Sequence, residues 1–137
     1  MSEIFSIKNA TKKINNQQLF QLDNFSANKG ELITILGKSG AGKSTLLNIL
    51  GLNQTFTSGT FHMFGQPVNK MTRKEKTKIK RNEISFLFQD FGLIEYETID
   101  FNLNIGLKFK KMSLKEKNLL KIETLKKINL KKDLKTP

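Results

Sequence analysis

The sequence contains no cysteine, so neither a disulfide bond nor a thiolate metal site can form. No segment approaches the roughly 18 consecutive apolar residues that a membrane-spanning helix requires. The first eight residues lack the basic and then apolar order of a secretion signal. These absences predict a chain that is soluble by itself, with any role at a membrane exercised through a partner.

Positive charge is unevenly distributed over the 137 residues, which carry a net charge of +12. Residues 1–67 contain six lysines against three acidic residues, whereas residues 68–137 contain sixteen lysines and two arginines against nine. Such a basic half can bind nucleic acid or anionic lipid, but its lysines are not interleaved with aromatic residues that would stack on bases. We therefore interpret the excess as charge on solvated helix faces and do not expect nucleic acid as a partner.

Hydrophobic patterning predicts an α/β chain with one modest core. Strands are predicted at 4–7 and at 19–22, the latter with an extension through Phe25 and Ala27. Two further strands, at 32–36 and 84–88, are predicted to be fully buried. A hairpin is predicted at 55–65, and helices are predicted at 44–50, 72–81 and 114–128. Ser113 and Glu116 have the spacing of a capping box at the start of the last helix. That helix should place Leu114, Ile122, Leu125 and Ile128 near one face.

A glycine-rich loop at residues 37–44, Gly-Lys-Ser-Gly-Ala-Gly-Lys-Ser, matches the spacing G-x-x-x-x-G-K-[ST]. Its glycines let consecutive backbone amides turn toward one anion, and the following helix points its positive end at the same place. Lys43 is positioned to neutralise phosphate oxygens, and the Ser44 hydroxyl can ligate Mg2+. Because a predicted buried strand precedes the loop and a helix follows it, the motif predicts binding of a nucleoside triphosphate.

The loop by itself does not identify the class of nucleotide-binding protein. Kinases, GTPases, helicases and transport ATPases all use this loop. The guanine-reading motif of GTPases, Asn-Lys-x-Asp, does not occur in these 137 residues. The choice between the classes therefore depends on motifs outside the loop.

Four further segments resemble one family. The first is the extended loop region 31–51, and the second is Thr-Ser-Gly-Thr at 57–60 followed by Phe-Gly at 64–65. The third is the run Ile-Ser-Phe-Leu-Phe-Gln-Asp-Phe-Gly-Leu-Ile at 84–94, and the fourth is residues 98–103. In order and spacing, up to about residue 135, the chain resembles the nucleotide-binding domain of ABC transporter ATP-binding proteins. The amino-acid sequence of the 84–94 segment is most similar to that of the group that serves macrolide export, lipoprotein release and bacteriocin export.

The resemblance implies a P-loop NTPase sheet with an N-terminal antiparallel β subdomain and the start of a helical subdomain. Residues 1–100 would form the ATP-binding core, with the phosphate loop (Walker A) and the Q-loop, and residues 101–137 would begin the helical subdomain. The cofactors implied are ATP and Mg2+. The implied nucleotide-binding residues are Gly37, Lys38, Ser39, Gly40, Ala41, Gly42, Lys43, Ser44 and Thr45.

Three further positions receive family roles by the same resemblance. Gln89 matches the Q-loop glutamine, so Lys43 and Gln89 would be catalytic, and Ser44 and Gln89 would contact the metal. Ile14 falls where the family often stacks an aromatic ring on adenine, and an aliphatic side chain lacks that π contact. We expect Phe20, Phe86, Phe88 and Phe91 to be packing residues and His62 to lie on the hairpin surface.

Motifs that complete the family's active site do not match anywhere in these residues. The LSGGQ-like signature, the acidic strand end that holds magnesium, the catalytic glutamate and the switch histidine would all follow Pro137, and Glu95, Glu97 and Asp100 do not match the catalytic position. Residues 1–137 alone are therefore expected to bind ATP without hydrolysing it at a useful rate.

The partners implied are an integral membrane permease and a second nucleotide-binding domain, which would place the chain at the cytoplasmic face of the cell membrane. Two alternatives stay open at this point. One is an ABC-type ATPase without a membrane partner, acting in DNA repair, translation or iron–sulfur assembly. The other is a catalytically inactive fragment that binds nucleotide only.

Overall fold

Four β-strands, four α-helices and one short 3-10 helix make up the regular structure of residues 2–88 and 92–136, which the computed structural model describes. The elements are β1 Glu3–Ile14, β2 Gln17–Asn28, α1 Lys43–Leu50, β3 Ser58–Met63, β4 Gln66–Pro67, the 3-10 helix Val68–Lys70, α2 Arg73–Asn82, α3 Ile99–Leu107 and α4 Leu114–Lys127. They fall into two units, Met1–Phe86 and Leu87–Pro137.

The first unit is built on a four-stranded antiparallel sheet with the order β2-β1-β3-β4. β1 and β2 are joined by Asn15 and Asn16, whose φ values of 49° and 62° are both positive. Asparagine tolerates the left-handed region better than most residues, and two such residues in a row suit a tight hairpin whose twist matches that of the strands. The predicted strands at 4–7 and 19–22 are confirmed and are parts of longer strands.

A bulge in β1 changes which residues face the core. Phe5 and Ile7 are buried, as the two-residue period of a strand requires, but the next buried residue is Ala10. Pairing with β3 is irregular between Lys8 and Thr11, and Asn9 has a φ of 47°. One extra residue at this point shifts the alternation by one, so that Ala10 rather than Asn9 faces inward.

Helix α1 covers the inner face of this sheet. Its Leu46 and Ile49 are buried in the same cluster as Phe5, Ile7 and Ala10. The cluster is completed by Ala27, Leu52, Phe61, Met63, Val68 and Met71. This apolar contact fixes α1, and with it the glycine-rich loop from which the helix starts, on the sheet.

The two predicted buried strands at 32–36 and 84–88 are wrong as secondary structure. Both segments lack regular structure, and Leu32 and Leu36 are 96% and 86% exposed. Their sequences are apolar and β-branched, but a strand exists only where a neighbour supplies its hydrogen bonds, and within the described residues the sheet contains neither segment. Phe86 and Phe88 are likewise exposed rather than core residues, although the Phe86 ring lies close to Gly51.

In the second unit, α3 and α4 are joined by a polar cluster around the buried Lys121. Lys121 of α4 is 2% exposed and forms an ion pair with Asp100 in the first turn of α3. Asn104, one turn further along α3, accepts from Lys121 Nζ at 3.2 Å and donates to Asp100 at 2.7 Å. A buried ammonium group is tolerated because these two partners replace its water.

The apolar face predicted for α4 is only partly correct. Leu125 is buried, but Leu114, Ile122 and Ile128 are exposed, and Lys121 occupies the buried position one turn before Leu125. Burial in this helix therefore follows the ion pair with Asp100 as much as the hydrophobic pattern. The helix bounds themselves, Leu114–Lys127, agree with the prediction to within one residue.

Both basic helices begin with a capping box. Ser113 accepts from the Glu116 amide while the Glu116 carboxylate accepts from the Ser113 amide, which confirms the prediction for α4, and Thr72 and Glu75 do the same for α2. Hydrogen bonds from the Ser113 side chain and backbone lower the pKa of Glu116 below its ordinary value. The charged form of this carboxylate is thus the one that holds the helix start.

Replacing Ser113 with alanine should destabilise the start of α4 by about 1 kcal/mol, because one amide of the first turn loses its acceptor. The loss should appear at pH 7 as faster hydrogen exchange of the amides in the first turn of α4. Since the folded pKa of Glu116 is depressed, its contribution is present above the ordinary carboxyl pKa and is lost as the pH falls through the folded value. The difference between the two proteins should therefore narrow as the pH falls below the ordinary carboxyl pKa. Unchanged exchange at pH 7 would contradict this role for Ser113.

Candidate phosphate-binding site

The glycine-rich loop adopts a conformation that only glycine reaches without strain. Gly40 and Gly42 have φ values of 79° and 90°. Between them the amide of Ala41 donates to the carbonyl of Lys38 at 3.2 Å, which closes a tight turn. A chain that alternates in handedness in this way turns successive N–H groups toward one side, the arrangement that binds anions.

Helix α1 starts directly from this loop, with Gly42 as its N-cap. No side chain caps the helix, and its first turn contains no acidic residue. The first intrahelical bond, from the Leu46 amide to the Gly42 carbonyl, measures 2.8 Å. The amides and partial positive charge at this helix start are thus left for a ligand rather than being satisfied by the chain itself.

Lys43 spans the loop. Its Nζ donates to the carbonyls of Gly37 and Lys38, each at 2.8 Å. No carboxylate among the described residues forms an ion pair with Lys43. A cation held only by neutral carbonyls can be transferred to phosphate oxygens, which are stronger acceptors.

The other loop positions are open to solvent. Gly37, Lys38, Ser39, Gly40, Ala41 and Ser44 are exposed, and Gly42, Lys43 and Thr45 are half-buried. A Cβ placed on Gly40 would have no atom within 4 Å, so the space beside the loop is free. The eight motif residues, and Thr45, which the family resemblance adds, thus form one largely exposed, donor-rich loop and helix start.

The remaining sequence-predicted residues are not part of the run 37–45. Ile14 ends β1 beside the Asn15–Asn16 turn, with its side chain 49% exposed. Gln89 lies outside the described residues, as does Phe91. His62 lies within β3 opposite Ser6 and is half-buried, so it is less exposed than predicted.

The described residues supply no metal site of their own. No group of three or more histidine, aspartate or glutamate side chains is close enough to hold an ion there. None of the described helices is long and apolar enough to cross a bilayer.

Phe20 was expected to be a packing residue, and it does pack against the core cluster. What sequence reasoning missed is that the same ring lies beside the loop. A Cβ built on Gly42 would lie 2.6 Å from Phe20 Cδ1. No sequence spacing links a residue in β2 to a glycine 22 positions later, so only the fold shows this contact.

Comparison with known proteins places residues 20–136 under the family model described as ABC transporter. The ABC transporter ATP-binding protein MJ0796 of Methanocaldococcus jannaschii is 37% identical over 130 residues, covering 90% of this chain and 55% of that protein. The phosphonates import ATP-binding protein PhnC of Fusobacterium nucleatum is 37% identical over 95 residues, 69% of this chain and 38% of the relative. The macrolide export ATP-binding/permease protein MacB of Campylobacter jejuni is 34% identical over 119 residues, 83% of this chain and 19% of the relative.

Solved structures agree with this similarity. A dimeric, post-hydrolysis structure of the MJ0796 ATP-binding cassette bound to ADP and Pi superposes with a TM-score of 0.81 at 34% identity, over 97% of this chain and 60% of that one. The α/β fold class of an ATP-binding cassette is thereby confirmed. The chain spans 38% and 55% of the length of the first two relatives, and 60% of the solved cassette.

Proposed function

The chain belongs to the ABC transporter family, and we propose that it binds ATP with Mg2+ at residues 37–45 as part of a subunit that powers transport by a membrane permease. The observation that carries the proposal is the uncapped, acid-free start of α1 beneath a loop with two left-handed glycines. Such a site presents donors and positive charge only, which is what a triphosphate requires and what a neutral ligand does not use.

Within this site each group has a separate task. Lys43 is released from the carbonyls of Gly37 and Lys38 and neutralises phosphate oxygens, while the loop amides hold the phosphate chain in place. The Ser44 hydroxyl would ligate Mg2+ bound together with the nucleotide. Bound Mg2+ supplies the charge neutralisation that phosphoryl transfer needs. Gln89 is proposed to be a further contact to the metal or to the attacking water.

Adenine recognition is proposed to involve Ile14. Its exposed side chain at the end of β1 offers an apolar surface that can pack on a base, without the π contact of an aromatic ring. Base selectivity should consequently be weaker than in relatives with an aromatic residue at this position. The phosphate chain, rather than the base, would then supply most of the affinity.

For the whole protein we propose the family's arrangement, in which two nucleotide-binding domains close around two ATP molecules and move an attached permease. Residues 1–100 would contribute the ATP-binding core and residues 101–137 the beginning of the helical subdomain, with the boundary in the first turn of α3. The protein would sit at the cytoplasmic face of the membrane through its permease.

Purification of the tagged full-length protein from detergent-solubilised membranes tests the transport part of this proposal. We expect a protein with several membrane spans to co-purify, and ATP-Mg to bind the complex. Recovery with nucleic acid or ribosomes, without a membrane protein, would instead indicate an ABC-type ATPase outside transport. ATP binding by itself supports the phosphate site in either case.

A Gln89→Ala substitution in the full-length protein with its permease should lower transport-linked ATP turnover more than nucleotide affinity. The physical reason is that a neutral amide next to metal or water contributes to the transition state, whereas the phosphate loop supplies ground-state binding. Stimulated turnover in proteoliposomes, measured beside calorimetric affinity, separates the two. Gln54→Ala, an exposed glutamine after α1, is the matched control and should change neither quantity. Normal stimulated turnover of Gln89→Ala would count against the assignment.

A further inference from the structure

Five phenylalanine rings form a continuous series through the first unit. Phe25 meets Phe5 at 5.2 Å between ring centroids, and Phe5 meets Phe61 at 6.5 Å. Phe61 then meets Phe56 at 5.9 Å, and Phe56 meets Phe20 at 6.3 Å. All four contacts are edge-to-face, the geometry that aromatic pairs prefer. The series begins and ends on β2, with Phe25 at one end and Phe20 at the other.

The Phe20 end of the series lies against the phosphate loop. A Cβ built on Gly42 would lie 2.6 Å from Cδ1 and 2.9 Å from Cε1 of Phe20, and 3.0 Å from Cδ2 of Leu19. These side chains therefore fill the space that a side chain at position 42 would need. Because protein interiors are densely packed, the ring restricts the position of the Gly42 backbone.

Gly42 is the point at which that restriction matters for binding. It has a φ of 90°, it is the N-cap of α1, and its carbonyl accepts the first intrahelical bond, from Leu46. A rotation here would turn the neighbouring loop amides and the helix start away from the ligand. Leu46 and Phe20 both pack against the same core cluster, so the ring and the helix are fixed to one support.

We propose that Phe20 is a positioning residue for nucleotide binding. Held by Phe56, its ring fixes Gly42 so that the loop amides are aimed at the phosphates before the nucleotide arrives. Phe20 acts through Gly42 and does not itself touch the nucleotide. The inference rests on the proposed ATP site and adds to it a residue of β2, 17 positions before the loop.

Phe25 provides a matched control for testing this role. Like Phe20 it lies on β2, is half-buried, ends the ring series and has one aromatic neighbour in it, but that neighbour is Phe5. In the full chain, Phe20→Ala and Phe25→Ala should both lower the thermal midpoint. Only Phe20→Ala should raise the Kd for ATP-Mg, by roughly tenfold, because a misaimed loop loses part of its preorganised geometry. Phe20→Leu, which keeps an apolar side chain, should fold more readily and show a smaller rise in the same direction.

Magnesium tripolyphosphate distinguishes an effect on the loop from a contact with the base. It carries the phosphate chain without adenine, so Phe20→Ala should weaken it by the same factor as ATP-Mg. Equal affinities of Phe20→Ala and Phe25→Ala for ATP, or a loss for ATP that is absent for tripolyphosphate, would overturn the proposal. If Phe20→Ala does not fold, an unchanged Kd in Phe20→Leu overturns it equally. Failure of the ATP site itself is a separate result: the unsubstituted chain would then bind neither ligand.

Discussion

A Gly59→Ala substitution is expected to unfold the first unit at markedly lower denaturant concentration or temperature than the unsubstituted chain. Gly59 lies in β3 with a φ of 94°, opposite the bulge in β1. A Cβ at this position would lie 2.3 Å from Ala10 Cα and 2.4 Å from the Asn9 carbonyl oxygen. Both atoms belong to backbone, so the clash cannot be relieved by a side-chain rotation.

The size of the effect follows from two separate costs. A left-handed conformation costs a residue with a Cβ about 1–2 kcal/mol. Forcing extra volume into a packed site costs about 1–3 kcal/mol more. Ala10, the residue that must move, is fully buried, and β1 carries the core residues Phe5 and Ile7 in the same strand. Summed, the costs correspond to a fall in the thermal midpoint of roughly 10 °C or more for a unit of this size.

Gly30→Ala is the control for this prediction. Gly30 has nearly the same φ, 89°, but a Cβ built on it meets no atom within 4 Å. It should therefore bear the first cost and not the second. Urea unfolding curves of the two variants isolate the clash as their difference. Equal destabilisation would mean that β1 and β3 separate easily at the bulge and that the close approach has little energetic weight.

The phosphate loop could be predicted from the sequence because its structure is local. Eight consecutive residues specify the glycine turn, the cation and the helix start, and α1 begins at Lys43, within one residue of the predicted position. The capping box at Ser113 is local in the same sense, since its two side chains and two amides lie within four residues. In both cases short-range hydrogen bonds and backbone preferences are enough to determine the geometry.

Features that depend on distant partners could not be predicted in this way. The segments 32–36 and 84–88 have the composition of buried strands, yet Leu32 and Leu36 are exposed. Lys121 reads as a solvated lysine in a basic helix, but Asp100, 21 positions earlier, holds it in the interior of the second unit. The sequence around Gly59 indicates only a turn in the predicted hairpin, whereas the backbone of Asn9 and Ala10 across the sheet leaves no space for a side chain at this position.

A Lys43→Ala substitution should weaken ATP-Mg binding by roughly 10- to 100-fold. Hydrogen bonds to charged groups contribute about 1.5–3 kcal/mol each, and every 1.4 kcal/mol changes affinity tenfold. The fold should survive the change, because α1 is held by Leu46 and Ile49, while the side-chain hydrogen bonds of Lys43 go to the loop carbonyls of Gly37 and Lys38. The loss should therefore appear in affinity far more than in the thermal midpoint.

Lys29→Ala is the matched control for Lys43→Ala. Lys29 is an exposed lysine in the same unit, just after β2, and its loss removes the same unit of charge. If affinity depended on net positive charge alone, the two variants would weaken binding alike. The site described above predicts that Lys29→Ala leaves the affinity close to that of the unsubstituted chain.

Calorimetric titration of ATP-Mg into the unsubstituted chain, Lys43→Ala and Lys29→Ala shows whether residues 37–45 are the nucleotide site. We expect one saturable site in the unsubstituted chain, nearly the same affinity in Lys29→Ala, and an affinity at least about tenfold lower in Lys43→Ala. Equal affinity in all three proteins, or no binding to the unsubstituted chain, would show that residues 37–45 are not the nucleotide site.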